Sequence, residues 1–286
     1  MVDVEDRFIT GPDSLRLHLR LYGVSNGGTP VVCLPGLTRN LLDFDGLAHI
    51  LAASPHGRQV ISISSRGRGR SDRDPDPTRY TVPVEASDVI AVMDALSLNQ
   101  AAFIGTSRGG LILHMLAMTH PERIDRAVLN DIGPVLEADG LRTIQTQLAA
   151  RETPGTVDEA VAALRQVYGV EFPRLSDQDW RDMAAALFRK QDGGLSSDYD
   201  PAIAAQISAI DLNAPLPTLW EAYEGLAKKP LMVIRGENSQ LLSHQTVQAM
   251  AARKPDLVVI QAEGQGHAPI LHLAPLPKQI AAFLTA

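Results

Sequence analysis

Ala101-Ala-Phe-Ile-Gly-Thr-Ser-Arg-Gly-Gly-Leu-Ile-Leu-His114 decides the fold of this chain. Ala101 to Ile104 is an apolar run and reads as a short buried strand. Gly105-Thr106-Ser107-Arg108-Gly109 follows at once, then a helical pattern that ends near Thr119, just before Pro121. A strand that turns straight into a helix, with small residues around a serine, fits the G-x-S-x-G turn. The turn is tight, so a Cβ at either glycine would crowd the backbone. Held there, Ser107 projects its hydroxyl above the sheet, and the amide of Arg108 points at the same spot. The helix N-terminus behind it favours developing negative charge. A plain N-cap serine would explain the pentapeptide alone; the strand before and the helix after argue for a nucleophile.

Outward from this turn, the chain alternates strands and helices. Arg7 to Thr10 and Leu15 to Leu21 flank the turn residues Gly11-Pro-Asp-Ser14, and the second run alternates apolar with polar. That pattern predicts a hairpin with a half-exposed strand. Val31 to Leu34, Gln59 to Ile63, Arg126 to Leu129, Leu231 to Ile234 and Leu257 to Ile260 are short apolar runs, as a parallel sheet buried on both faces requires. Helical faces lie between several of them: Val89, Val92, Met93 and Leu96; Val247, Met250 and Ala251; and Ile280, Phe283 and Leu284 at the end. The expected fold is α/β, a mostly parallel open sheet flanked by helices with an antiparallel start.

Residues 135–226 break the rhythm. Leu141, Ile144 and Leu148, then Val157, Val161 and Leu164, then Trp180, Met183 and Leu187, then Ile203, Ile207 and Ile210 keep helical spacing, and no strand is read among them. The expectation is a core of residues 1–134 and 227–286 with a helical cap, 135–226, inserted over the carboxyl edge of the sheet.

At 286 residues with 45% hydrophobic content, the chain can bury a substantial core. A formal net charge of −7 argues against nucleic acid as a partner. Arg66-Gly-Arg-Gly-Arg70 is a local basic cluster flanked by Asp72, Asp74 and Asp76, and is expected as a solvated loop. The single cysteine, Cys33, excludes an internal disulfide, offers no metal-ligand spacing and sits in an apolar run as a core residue. The charged N-terminus carries no secretory signal and no run reaches the length of a membrane span, so a cytoplasmic protein with no membrane partner is expected.

The chain resembles the α/β-hydrolase fold superfamily nearly end to end, on four motifs in order. Leu34-Pro-Gly-Leu37 looks like the family's oxyanion loop, with Pro35 where histidine is often found. Arg66-Gly-Arg-Gly-Arg-Ser71 looks like its R-G-x-G-x-S turn, Gly105 to Gly109 is the nucleophile elbow, and Gly264-Gln-Gly-His267 looks like the loop that delivers the catalytic histidine. The resemblance implies Ser107 as nucleophile, His267 as general base, and the amides of Leu37 and Arg108 as oxyanion donors, with no cofactor or metal. Serine at its free pKa needs such a base in hydrogen-bond reach.

The triad acid is where the chain departs from the pattern. The loop after Leu231 to Ile234 reads Arg235-Gly-Glu-Asn-Ser-Gln-Leu-Leu-Ser243, and Gln240 stands where the resemblance implies aspartate. Glutamine has no charge with which to stabilise an imidazolium. Three alternatives stay open: Asp131, just after the strand Arg126 to Leu129; Glu237, from the usual loop; or no carboxylate at all. Asp131 could instead order a turn or pair with Arg108.

Arg39 is a candidate to hold a substrate carboxylate, and Trp180, Trp220 and Tyr168 are candidates to line an apolar pocket. The expected activity is a serine hydrolase of a small carboxylic ester or lactone. A hydrolase of a carbon–carbon bond in a dicarbonyl compound is the alternative on the same scaffold. A non-hydrolytic small-molecule-binding member is the second, because of Gln240.

Overall fold

Leu17, Leu19 and Leu21 alternate along the second strand and are all buried, and the other apolar runs extend that layer into one sheet. The computed structural model describes residues 2–149, 153–191 and 193–285. Its strands are β1 Val4–Thr10, β2 Arg16–Tyr22, β3 Val31–Leu34, β4 Val60–Ile63, β5 Ala101–Thr106, β6 Ile124–Asn130, β7 Phe188–Gln191, β8 Gly194–Ser197, β9 Leu231–Gly236 and β10 Val258–Ala262. Eight of them form a sheet in the order β1-β2-β4-β3-β5-β6-β9-β10. β1 pairs antiparallel with β2, and β2 with β4, while every pair from β4 to β10 is parallel. The expected hairpin and parallel sheet are thus both present, but the second strand is not half-exposed, since His18 and Tyr22 on its other face are buried too. β10 is an edge strand, so Val258 and Val259 face solvent rather than lying buried on both sides.

The helices are α1 Asp45–Ala52, α2 Val82–Ala95, α3 Arg108–Thr119, α4 Ala138–Ala149, α5 Val157–Tyr168, α6 Asp177–Leu187, α7 Pro201–Ser208, α8 Trp220–Ala227, α9 His244–Arg253 and α10 Leu276–Thr285. They cover both faces of the sheet. On one face, Val89, Val92 and Met93 of α2, Ile112 and Leu116 of α3, Tyr223 of α8 and Met250 of α9 share a core with Val32, Phe103 and Leu129. On the other, Leu47 and Leu51 of α1 and Ile280 and Leu284 of α10 pack on Ile104, Val128 and Ile234. Cys33 lies buried there, as expected. Burying one leucine-sized side chain stabilises by ~1.5–3 kcal/mol, so two such layers hold the sheet rigid.

Between β6 and β9 the chain leaves the sheet. α5 and α6 enclose a small core of their own, with Leu164, Phe172, Trp180 and Met183. Their starts are fixed locally: Thr156 accepts from the Glu159 amide, and Ser176 forms a capping box with Asp179. Two expectations for this span are corrected. β7 and β8 form an antiparallel ribbon where no strand was read; each is four residues long, too short for a period to show. α8, inside the span expected as cap, packs on the core instead, with Tyr223 fully buried and its hydroxyl donating to the Met250 carbonyl at 2.8 Å.

The basic cluster is a third correction. Arg66 and Arg68 are each 1% exposed. Arg66 donates to Asp88 at 2.7 and 2.5 Å and to Asp74 at 2.6 Å, so of the flanking aspartates Asp74 is a buried partner, while Asp76 stays exposed and Asp72 half-buried. Only a paired guanidinium survives such burial. Arg70 is the exposed member. No helix among the described residues is long and apolar enough to cross a membrane.

Candidate active site

Close backbone approach dictates the glycines of the elbow. A Cβ on Gly105 would lie 2.7 Å from the Gly109 carbonyl, and one on Gly109 would lie 2.1 Å from the Leu34 carbonyl oxygen of the neighbouring strand. Between them Ser107 sits at φ 50° and ψ −111°, a region that an L-residue occupies at a cost of ~1–3 kcal/mol. The Ser107 amide donates to the Asn130 carbonyl at 3.1 Å. Asn130 in turn donates from its side chain to Thr106 at 3.0 Å and to the Pro269 carbonyl at 2.9 Å. One buried asparagine therefore ties the elbow strand to the loop that follows β10.

That loop carries His267. Its Nε2 lies 2.9 Å from the Ser107 Oγ, and its Nδ1 lies 2.8 Å from Oδ2 of Asp131. Asp131 is the first residue beyond β6 and is completely buried. Its carboxylate also accepts the Ser239 hydroxyl at 2.5 Å on Oδ2 and the Gly236 amide at 2.8 Å on Oδ1. An ionised carboxylate only accepts, so Nδ1 of His267 carries the proton and Nε2 keeps its lone pair for the serine hydroxyl. The geometry therefore joins serine, imidazole and carboxylate in one relay.

The structure puts the candidates for the acid in different places. Asp131 touches the imidazole, and it does not pair with Arg108. Glu237 instead accepts the Gly264 amide at 2.6 Å through Oε2. Gln240 accepts from Thr143 at 3.0 Å, out on the surface. The loop that carries Gln240 still serves the carboxylate, through Gly236 and Ser239.

The two expected oxyanion residues share a buried anchor that the sequence did not reveal. A Cβ on Gly36, next to Leu37, would lie 3.9 Å from Cβ of Ser107, so the Leu37 turn passes beside the serine. Arg68 donates through Nε to the Leu37 carbonyl at 2.7 Å and through Nη1 to Glu85 at 2.8 Å. Arg108 donates through Nε to the other oxygen of Glu85 at 2.8 Å and through Nη2 to the Tyr80 carbonyl at 2.9 Å. Burial alone would raise the Glu85 carboxyl, but the flanking Arg68 and Arg108 guanidinium groups hold it below its ordinary range. One carboxylate thus braces both turns.

Ser107 and His267 open into a cavity of about 520 Å³. The insertion supplies Ile144, Leu148, Tyr168, Phe172 and Met183 to its wall, together with the polar Gln147, Asp179 and Asp182. Arg39 lines it too, held side-on by Asp43 at 2.7 and 2.6 Å. Tyr168 is there as expected, whereas neither tryptophan lines it. Trp180 is buried in the core of the insertion. Trp220 packs edge-on against Tyr223 with Arg253 over its ring at 3.8 Å. Tryptophans at helical spacing have the largest area to bury, and both spend it on packing. The Arg108 side chain turns away to Glu85. Ser239, Gly236 and Glu85 carry no motif, and only the folded chain brings them to these positions.

A family model described as alpha/beta hydrolase fold matches residues 29–272. A 3-hydroxybutyrate-oligomer hydrolase from Cupriavidus necator is 32% identical over 246 residues, covering 84% of this chain and 82% of its own. A 2-(acetamidomethylene)succinate hydrolase from Mesorhizobium japonicum is 27% identical over 208 residues, covering 73% and 71%. The crystal structure of an alpha/beta hydrolase from Novosphingobium aromaticivorans matches 100% of this chain and 99% of its own, with 36% identity and a TM-score of 0.90. All three are named as hydrolases, which supports enzymatic hydrolysis as the class of activity here.

Proposed function

Because this chain belongs to the alpha/beta hydrolase fold family, we propose that it is a serine hydrolase that cleaves a small carboxylic ester or lactone. Ser107 attacks the ester carbonyl as Nε2 of His267 takes the hydroxyl proton. The carbonyl oxygen becomes an oxyanion, which the amides of Leu37 and Arg108 receive. Collapse expels the alcohol, which leaves with the proton from His267, and an acyl group stays on Ser107. Water then repeats the sequence: His267 takes its proton, the carboxylic acid leaves, and the serine is restored. Asp131 holds the imidazole in the tautomer that can accept and stabilises the imidazolium. Losing one oxyanion donor in such a site costs on the order of a hundredfold in rate.

The relay Ser107–His267–Asp131, with contacts of 2.9 and 2.8 Å, is the observation that carries this reading. It also weighs against a non-hydrolytic member, a reading that rested on the glutamine at position 240. In this proposal the insertion is a cap that closes the cavity, with α4 to α7 above the site and α8 anchored in the core. Arg39, held side-on by Asp43, keeps the end-on face of its guanidinium for a substrate carboxylate. The name of the relative from Cupriavidus necator makes short hydroxy-acid esters the first substrates to test.

The test is a fluorophosphonate followed by mass spectrometry. Rapid labelling on Ser107, abolished in Ser107→Ala, supports the reading; an intact mass after long incubation overturns it. A panel of p-nitrophenyl esters, lactones, carboxylate-bearing oligoesters and β-diketones then separates ester from carbon–carbon cleavage.

A further inference from the structure

The cap touches the reaction centre at a point that the steps above leave unused. Glu171 lies between α5 and α6, and its Oε2 accepts a hydrogen bond from the backbone amide of His267 at 3.2 Å. Its other oxygen accepts from the Gln147 side chain of α4 at 3.1 Å. Its own carbonyl accepts from the Asn238 side chain at 2.9 Å. Asn238 stands between Gly236 and Ser239, the two residues that hold Asp131. One cap residue is therefore bonded to the histidine and to the loop that fixes its carboxylate.

The histidine loop is shaped to receive it. A Cβ on Gly266 would lie 2.4 Å from Oε2 of Glu171, and one on Gly264 would lie 2.8 Å from the Arg174 side chain. Gly264 has a positive φ, 66°, and so needs to be glycine for its own backbone; Gly266 is not among the positive-φ glycines. Its missing side chain is explained by the space Glu171 fills.

We infer that Glu171 is a positioning residue: by holding the His267 amide from the cap, it keeps Nε2 within reach of Ser107 and Nδ1 within reach of Asp131. The inference rests on the serine-hydrolase reading above. Loss of a hydrogen bond here lets the loop shift, and a misplacement of about 1 Å at a reacting group can cost up to a hundredfold in rate. Glu171 is not among the residues that line the cavity, so the effect falls on turnover rather than on substrate affinity.

Turnover of a p-nitrophenyl ester and the rate of fluorophosphonate labelling are measured for wild type, Glu171→Ala and Glu171→Gln. Glutamine keeps an oxygen acceptor and loses the charge. Glu171→Ala is expected to lower kcat and labelling about tenfold, with KM within about twofold and Glu171→Gln restored to within about threefold of wild type. Wild-type rates in Glu171→Ala, a change confined to KM, or glutamine as slow as alanine each overturn it. If Glu171→Ala does not fold, Glu171→Asp, one methylene shorter, carries the same test: slowed labelling supports the inference and wild-type labelling overturns it. Failure of the wild type itself to label removes the hydrolase reading and this inference with it, whereas a labelled wild type matched by Glu171→Ala removes only this inference.

Discussion

At the scale of single residues, Asp131 shows how much of this site was readable. Its carboxylate takes three hydrogen bonds, from His267, Ser239 and Gly236. A hydrogen bond to a charged group contributes ~1.5–3 kcal/mol. Ser239→Ala is accordingly expected to lower unfolding stability by ~1–3 kcal/mol and to lower kcat/KM at least several-fold, checked by denaturant unfolding and ester turnover. Unchanged values for both would show that the hydroxyl does nothing for the acid. Ser107 and His267 were legible because each sits in a motif whose glycines announce a tight loop. Asp131 was only one of three choices, since nothing in Asn130-Asp-Ile-Gly-Pro134 separates an acid from a turn residue. Trp180 and Trp220 misled for a related reason: sequence shows that a large side chain must be covered, not what covers it.

At the scale of elements, β5 and α3 form the joint on which the site turns. Gly109→Ala would drive a Cβ to 2.1 Å from the Leu34 carbonyl, and backbone does not give way as a flexible side chain does. Overpacking of this kind typically costs ~1–3 kcal/mol; here the strand and the elbow must part, so ester turnover is expected to fall beyond detection while far-ultraviolet circular dichroism stays α/β. Further along α3, burial pulls His114 down from its ordinary 6.5 to about 4, partly offset by its bond to the Gly110 carbonyl. Between these two values the unfolded chain binds a proton that the folded chain does not, so stability falls as pH drops from about 6.5 toward 4. His114→Gln is expected to flatten that part of a Tm-against-pH curve; an unchanged slope would contradict the assignment. The apolar runs foretold the sheet because burial on both faces leaves a composition signal. The β7–β8 ribbon was invisible because it has no such faces, only four residues in each strand.

For the molecule as a whole, the layout of the candidate site follows from strand order. β6 lies between β5 and β9, so the residue just past β6 stands beside both the elbow and the loop after β9. That adjacency puts the carboxylate of Asp131 against His267 and the loop after β9, and it cannot be read along the chain because the neighbours are far apart in sequence. The buried Glu85, which braces the Leu37 and Arg108 turns through two arginines, depends on the same kind of meeting. The insertion adds part of the cavity wall and, through Glu171, a hydrogen bond to the histidine loop. The most direct measurement is the rate of fluorophosphonate labelling of Ser107 in Asp131→Asn, with Glu237→Gln and Gln240→Asp alongside. Asp131→Asn is expected to label about a thousandfold or more slowly and, with weaker bonds to Ser239 and Gly236, to fold with a lowered Tm, with Glu237→Gln near wild type and Gln240→Asp giving no gain. A folded Asp131→Asn that labels as fast as wild type would contradict the relay.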